Sequence, residues 1–369
     1  MKKHILMVTV LALAFSCNTK EPKKENTEDM STSENPLLVK SSLDYGAPDF
    51  TKIKNEHFMP AILKGMEVQN SEIAKIVANT EAPTFENTIL ALEESSKTLD
   101  NVNAIFSALT SAHTNDVIRE NQKELAPKFS KHGDNILLNT KLFERIKTVY
   151  NSLESLNLDP ESKHLVSEYY KNFVKAGANL SEDKKEELKA INAQLASLSN
   201  DFGKKGVDAM KKGGVVVADK GELKGFSEEK IKSIEKDGKY EIQLINTTQQ
   251  PSLQTLENRE LREKLFKKSI CRTEGGTYDT SDLVKQMVEL RAKKAEILGF
   301  DNYASWSLQG TMASTPDKVF EMFKNLIPGS LEKAASEIKE IQTEINKEGG
   351  DFELTPYDWN HYAEKVRKS

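Results

Sequence analysis

Apolar residues recur every three or four positions through most of this chain, and β-branched or alternating stretches are confined to one region. The helical pattern begins near Phe50. Ile53, His57, Pro60, Ala61 and Lys64 lie on one side of the first segment, and Phe58, Ile62 and Met66 on the other. Thr84-Phe85-Glu86-Asn87, just after Pro83, predicts a helix start. Ile89, Leu92, Ser96 and Leu99 follow at helical spacing, and Phe106 and Leu109 extend the series. Phe129, Ile136, Leu137, Phe143, Ile146, Val149 and Leu153 supply further amphipathic segments. The most regular seam follows Ser181-Glu182-Asp183, where Leu188, Ile191, Leu195, Leu198 and Phe202 are spaced 3, 4, 3 and 4 apart. That spacing predicts one face of an antiparallel hairpin or bundle core.

The pattern then changes. Gly213-Gly214 breaks the helix, and Val215-Val216-Val217 is a β-branched run. Tyr240 to Ile245 reads as a second strand, with a short helix between the two from Ser227 to Glu235. The chain is therefore expected to be mainly α, with a small β element around residues 213–246. Helices resume at Ser252. Ser281 to Leu298 carries Leu283, Met287, Leu290, Lys294 and Ile297 on one side and Gly299 as its C-cap. Ser314-Thr315-Pro316-Asp317 opens another helix, with Val319, Met322, Phe323 and Leu326 predicted as its buried face. In the last segment Thr355 is an N-cap, Pro356 fits the first turn and Asp358 suits the positive helix end. Trp359, Tyr362, Ala363 and Val366 form an apolar face that needs a partner, so the chain is expected to be cut short at Ser369.

The first residues follow another logic. Lys2 and Lys3 precede an apolar run of eleven residues, Ile5 to Phe15, and then Ala14-Phe15-Ser16-Cys17. A bilayer-spanning helix needs about 20 apolar residues, so the run has the length of a signal-peptide core instead. The small residue before Cys17 is similar to the cleavage box of bacterial lipoproteins, whose cysteine carries the lipid; the other reading is an ordinary signal peptide with an incidental cysteine. The expected division is a signal peptide over 1–16, a lipid-anchor cysteine and disordered tether over 17–38, and a folded body over 39–369. Extended, such a tether reaches at most about 70 Å. The protein is then expected outside the cytoplasm, held to a membrane of the bacterial cell envelope.

Composition narrows the chemistry. Charged residues make up 30% of the 369 and the net charge is -5, with basic and acidic residues interleaved, so no nucleic-acid partner is expected. Cys271 has no partner if Cys17 is lipidated, and it is expected to be a buried small hydrophobe. None of the six histidines lies four residues from another, so no His-Glu-x-x-His occurs. There is no G-x-S-x-G elbow and no Walker loop, and Gly213-Gly214 and Gly275-Gly276 read as turns. His361 and Glu364 share a helix face and are either half of a metal site or a solvated pair opposite Trp359. His57 is expected to be a packed or surface histidine.

Three stretches together resemble peptidase family M3. They are Gln249-Gln250-Pro251 with Glu257 to Leu265; Leu283 to Ala295 through Leu298-Gly299-Phe300-Asp301-Asn302-Tyr303-Ala304; and Pro356 to Arg367. The resemblance runs from about residue 39 to the end, with its nearest likeness in the bacterial peptidyl-dipeptidase branch. It implies the helical N-terminal lobe of a two-lobed fold with a deep channel between the lobes. It also implies one zinc ion, held by a His-Glu-x-x-His motif and a further glutamate, and short oligopeptide substrates that lose dipeptides from their C-termini. That motif would lie beyond Ser369, so no catalytic or metal residue of the family maps onto this sequence. On this resemblance the chain is one wall of the channel, binds no zinc by itself, lacks its C-terminal catalytic lobe and is inactive alone. The alternative is a non-catalytic helical peptide-binding or scaffold lipoprotein.

Overall fold

The computed structural model describes residues 35–369. The expected signal peptide, Cys17 and most of the tether lie outside the described residues. The body is built almost entirely of helices: α1 (Phe58–Ala78), α2 (Ala91–Ser95), α3 (Lys97–Ala112), α4 (Asp116–Leu137), α5 (Thr140–Asn151), α6 (Pro160–Ala176) and α7 (Glu182–Lys212). A three-stranded antiparallel sheet follows, made of β1 (Val215–Val217), β2 (Glu235–Lys236) and β3 (Lys239–Ile242) in the order β1-β3-β2, with α8 (Glu228–Ile234) inserted. The chain closes with α9 (Asn246–Thr255), α10 (Arg259–Ile270), α11 (Ser281–Ile297), α12 (Tyr303–Ser307), α13 (Pro316–Lys347) and α14 (Pro356–Lys368). The mainly α class with a small β element is as expected. Among the described residues no helix is long and apolar enough to cross a membrane.

Local chemistry sets most helix starts. Asn115, Asn139, Asp159, Asn258, Asn302 and Thr315 each accept a hydrogen bond from a backbone N–H of the first turn. The segment after Thr84 departs from one continuous helix. It begins with a wide turn at Phe85–Leu90, and the helix breaks at Ser96 between α2 and α3. Ser95 and Ser96 hydrogen-bond back to the carbonyls of Leu92 and Glu93, which competes with the helical ladder there. The sheet gains a strand that periodicity missed, because β2 is two residues long. Asp237 and Gly238, both at positive φ, form the turn that folds it onto β3.

The buried residues form separate clusters. One joins α1, α5 and α6 around Ile73, Phe143, Ile146 and Phe173. A second joins α1, α3 and α4 around Phe58, Ile62, Val102 and Leu125, and takes in Leu37. Leu37 is 8% exposed, and Asn35 donates to the carbonyl of His57 at 2.9 Å. The ordered body therefore already includes Asn35–Leu38, which the expected tether boundary at 38 had left out. The sheet packs on α9 and α10 through Val215, Ile242, Leu253 and Leu265. Leu188 and Ile191 of α7 are buried against Leu138 and Ile297, but the seam opens toward Phe202, which is 41% exposed.

Three expectations are corrected here. Phe323, Met322 and Leu326 are exposed at 44%, 49% and 56%, because α13 buries only Ile341 and Ile345, near its far end. The aromatic face of α14, expected to lack a partner, is covered by Ile341, Ile345 and Phe352. Cys271 is exposed: it caps the C-terminal end of α10, next to Ile270 at 62% exposure, and turns into solvent. Burial and a hydrogen bond with Glu274 do not activate it; the Glu274 bond comes first and pushes its thiol pKa up.

Candidate functional site

Two places concentrate chemistry. The first is a corner where α9, α10 and α14 meet. Asp358, in the first turn of α14, is fully buried. Arg259 reaches it with Nε at 3.1 Å and Nη2 at 2.8 Å, Arg262 with Nη2 at 2.9 Å, and the Thr355 hydroxyl donates at 2.6 Å. Arg262 is 1% exposed and also donates to the carbonyls of Leu256 and Glu257 at 2.9 and 3.0 Å. Among the described residues its buried Nε has no partner. Burial pushes the Asp358 carboxyl up, but the bonds from Arg259, Thr355 and Arg262 outweigh it and hold the group below the usual carboxylate range. Arg259 lies over Phe352, 4.0 Å from its ring centre.

His361 belongs to the same corner and is 6% exposed, not a solvated partner of Glu364. Its Nδ1 lies 3.1 Å from the Gln254 carbonyl, so Nδ1 carries the hydrogen. Burial, with Arg262 and Lys365 nearby, lowers its pKa to about 4. Glu364 instead pairs with Arg367 at 2.7 Å. His57 is packed, with Nδ1 accepting from the Lys54 N–H.

The second place is a crevice between α3 and α4 on one side and α7 on the other. Adjoining cavities of about 500 and 260 Å³ share Thr110, Gln122, Ser199 and Asn200, and a third of about 380 Å³ joins them at Phe129 and Ser199. The crevice exists because the second half of α7 presents Ser199, Asn200 and Gly203 where a packed helix would present large apolar residues. From Asn192 to Val207 it follows α7 for about 22 Å. The central cavity carries hydroxyls, side-chain amides and the rings of Phe106 and Phe129, and no charged residue.

At the α11 end the crevice becomes charged. Arg291, Lys294 and Tyr303 line it with Asp134 and Asn192. Lys294 donates to Asn192 Oδ1 at 2.7 Å, and Asn192 donates to Asp134 Oδ1 at 2.8 Å, so an amide stands between the two charges. The other oxygen of Asp134 is buried without a partner among the described residues. Burial pushes the Asp134 carboxyl up and the Lys294 ammonium down.

Residues 252–369 match the family described as Peptidase family M3. The chain is also 40% identical over 345 residues to a dipeptidyl carboxypeptidase of Escherichia coli (strain K12), an alignment covering 91% of this chain and 51% of that protein.

The last third of the chain, residues 252–369, is thus similar to peptidase family M3.

A dipeptidyl carboxypeptidase of Salmonella typhimurium is 39% identical, with the same 91% and 51% covered, and oligopeptidase A of Haemophilus influenzae is 26% identical, with 90% and 50% covered. The chain thus spans about half the length of these relatives. The family implies zinc, but among the described residues no three His, Cys, Asp or Glu side chains gather where an ion could be held. The described residues do not make a zinc site. Cys17 lies outside the described residues.

The three stretches that carried the resemblance separate in space. The first and third meet at Asp358, whereas the second supplies Arg291, Lys294 and Tyr303 to the crevice. In the sequence Asp358 stands out only as a helix-end charge, and nothing there marks Arg291 or Asp134. For Asp358 a signal was present, in two arginines one helical turn apart within a segment otherwise rich in exposed charge.

Proposed function

We propose that this chain forms the peptide-binding wall of a zinc-dependent metallopeptidase that hydrolyses short peptides and releases dipeptides from their C-termini. The single observation that carries the reading is the 40% identity to a dipeptidyl carboxypeptidase, sustained over 91% of this chain. The crevice supports it: an uncharged trough of amides, hydroxyls and two phenyl rings suits an extended peptide backbone of varied side chains. In this reading zinc and its ligands come from a partner lobe, corresponding to the part of the relatives outside the aligned stretch. The exposed face of α13, with Phe320, Phe323, Ile327 and Leu331 at 44–65% exposure, is where that lobe docks. The chain alone is then inactive. We place it in the cell envelope, anchored by lipid on Cys17. Incorporation of a labelled fatty acid that is lost in Cys17→Ser tests the anchor.

The activity test uses a blocked tetrapeptide and mass spectrometry. This chain alone should leave the peptide intact. Supplied with the C-terminal half of the Escherichia coli relative, it should release a C-terminal dipeptide, and a chelator should stop the reaction until zinc is restored. Chelator-sensitive hydrolysis by this chain alone would overturn the reading. A second reading is a peptide-binding lipoprotein without catalysis, which would use the same crevice between α3, α4 and α7. Peptide binding without cleavage in both arms would select it.

A further inference from the structure

We propose that the α11 end of the crevice is a carboxylate subsite, in which Arg291 and Lys294 receive the C-terminal carboxylate of a peptide lying along α7. The inference rests on the peptide-binding reading and adds a direction to it.

Charge along the crevice is matched at one end and unmatched at the other. Cations also occur at the opposite end of the crevice, but they are satisfied there. Arg119 pairs with Asp116, and Lys204 with Asp208 at 3.3 Å. Arg291 is different. Among the described residues it makes no ion pair and no hydrogen bond, and its guanidinium lies 5.3 Å from the centre of the Tyr303 ring. Lys294 sits one helical turn further along α11, with Nζ 4.5 Å from the Trp306 ring centre. Its nearest carboxylate, Asp134, reaches it only through the Asn192 amide.

Two like charges at this spacing on one helix repel by about 0.2–0.5 kcal/mol. The fold nevertheless holds both against an aromatic pair, Tyr303 and Trp306, whose ring centres are 5.1 Å apart. Trp306 is itself fixed by donating to the Lys175 carbonyl at 2.9 Å. A planar guanidinium with free donors, backed by a ring and opening into a cavity of about 380 Å³, is matched to a planar carboxylate. An incoming carboxylate would also offset the desolvation that weakens the Lys294 charge. The neighbouring trough is uncharged, so the anion enters as the end of an extended chain, with the rest of the peptide running toward Ser199 and Asn200. About six residues at roughly 3.3 Å each would fill the length along α7.

Trp306 makes a local reporter. In a Trp359→Phe background it is the one remaining tryptophan. The probes are N-acetyl-tetraalanine with a free C-terminus, the same peptide as its C-terminal amide, and inorganic phosphate. The free acid should bind about tenfold or more tighter than the amide, the worth of one or two charge-assisted hydrogen bonds. Arg291→Gln should bring the two peptides to within about twofold, with unchanged thermal stability, and Arg291→Lys should restore part of the difference. Equal binding of acid and amide to the parent chain would overturn the carboxylate assignment and leave the peptide-binding reading standing. If neither peptide binds at millimolar concentration, both readings are overturned. Phosphate should not displace the acid; displacement at equal concentration would overturn the assignment to a peptide end.

Discussion

Arg262 and Asp358 are 96 residues apart in sequence and 2.9 Å apart in space, and both are almost completely buried. With Arg259 and Thr355 they tie α10 to α14. Removing one partner of such a pair strands the other in an apolar setting.

Asp358→Asn should therefore cost about 3–5 kcal/mol of stability, read from urea unfolding. Arg259→Gln should cost about 1 kcal/mol or less, because that side chain reaches solvent at 35% exposure. The double variant should cost less than the sum, since the two changes remove the same contact. Equal losses from the two single variants would argue against Asp358 as the organising charge.

His361 gives the corner a pH dependence. Its folded pKa of about 4 lies below the ordinary 6.5, so the folded state refuses a proton that the unfolded chain accepts. Stability is complete above pH 6.5 and falls as the pH drops toward 4, by on the order of 3 kcal/mol in total. In His361→Gln that component should vanish, and the difference between the two stability-versus-pH curves isolates it. Asp358 acts only lower, because its carboxyl is held below the usual range and its contribution is lost as pH falls through that depressed value.

The two ends of α13 should respond oppositely to mutation. Ile345→Ala, at a fully buried position, should cost about 2–4 kcal/mol. Leu331→Glu, at 65% exposure, should change stability by no more than about 0.5 kcal/mol. It should instead reduce self-association at high concentration, measured by sedimentation velocity, by interrupting the exposed apolar face. A large stability loss from Leu331→Glu would mean that the face is packed in solution.

Gly203 offers a steric test of the crevice. A Cβ built there meets no atom within 4 Å. Gly203→Phe should leave the fold intact and obstruct the trough about 16 Å along α7 from Asn192. Octapeptides should bind several-fold more weakly to the variant and tripeptides equally well, by calorimetry. Equal weakening of both would point to a general distortion.

Much of the fold was legible because it is local. The starts read at Thr84 and Thr315 follow from one side chain and the N–H groups of the next turn. Gly299 closes α11, with the N–H of Phe300 bonded back to the Ala295 carbonyl. What escaped depends on distant residues. An apolar stripe has the same spacing whether or not anything covers it, so Phe323 read as core and is exposed. His361 read as solvated, and it is buried by α9, from a hundred residues upstream. The resemblance to family M3 came from motifs whose spatial roles, at the Asp358 corner and the crevice end, became visible only once the helices were placed.

Because the packed contacts of α13 lie at Ile341 and Ile345, the arm from Pro316 to Glu340 behaves as a lever. Its 25 residues span about 37 Å. A tilt of about 5° where it rests on α14 moves the tip by about 3 Å, roughly the length of one extended residue. Small rearrangements beside the buried arginine–aspartate pair would thus be delivered, magnified, to whatever rides on the arm.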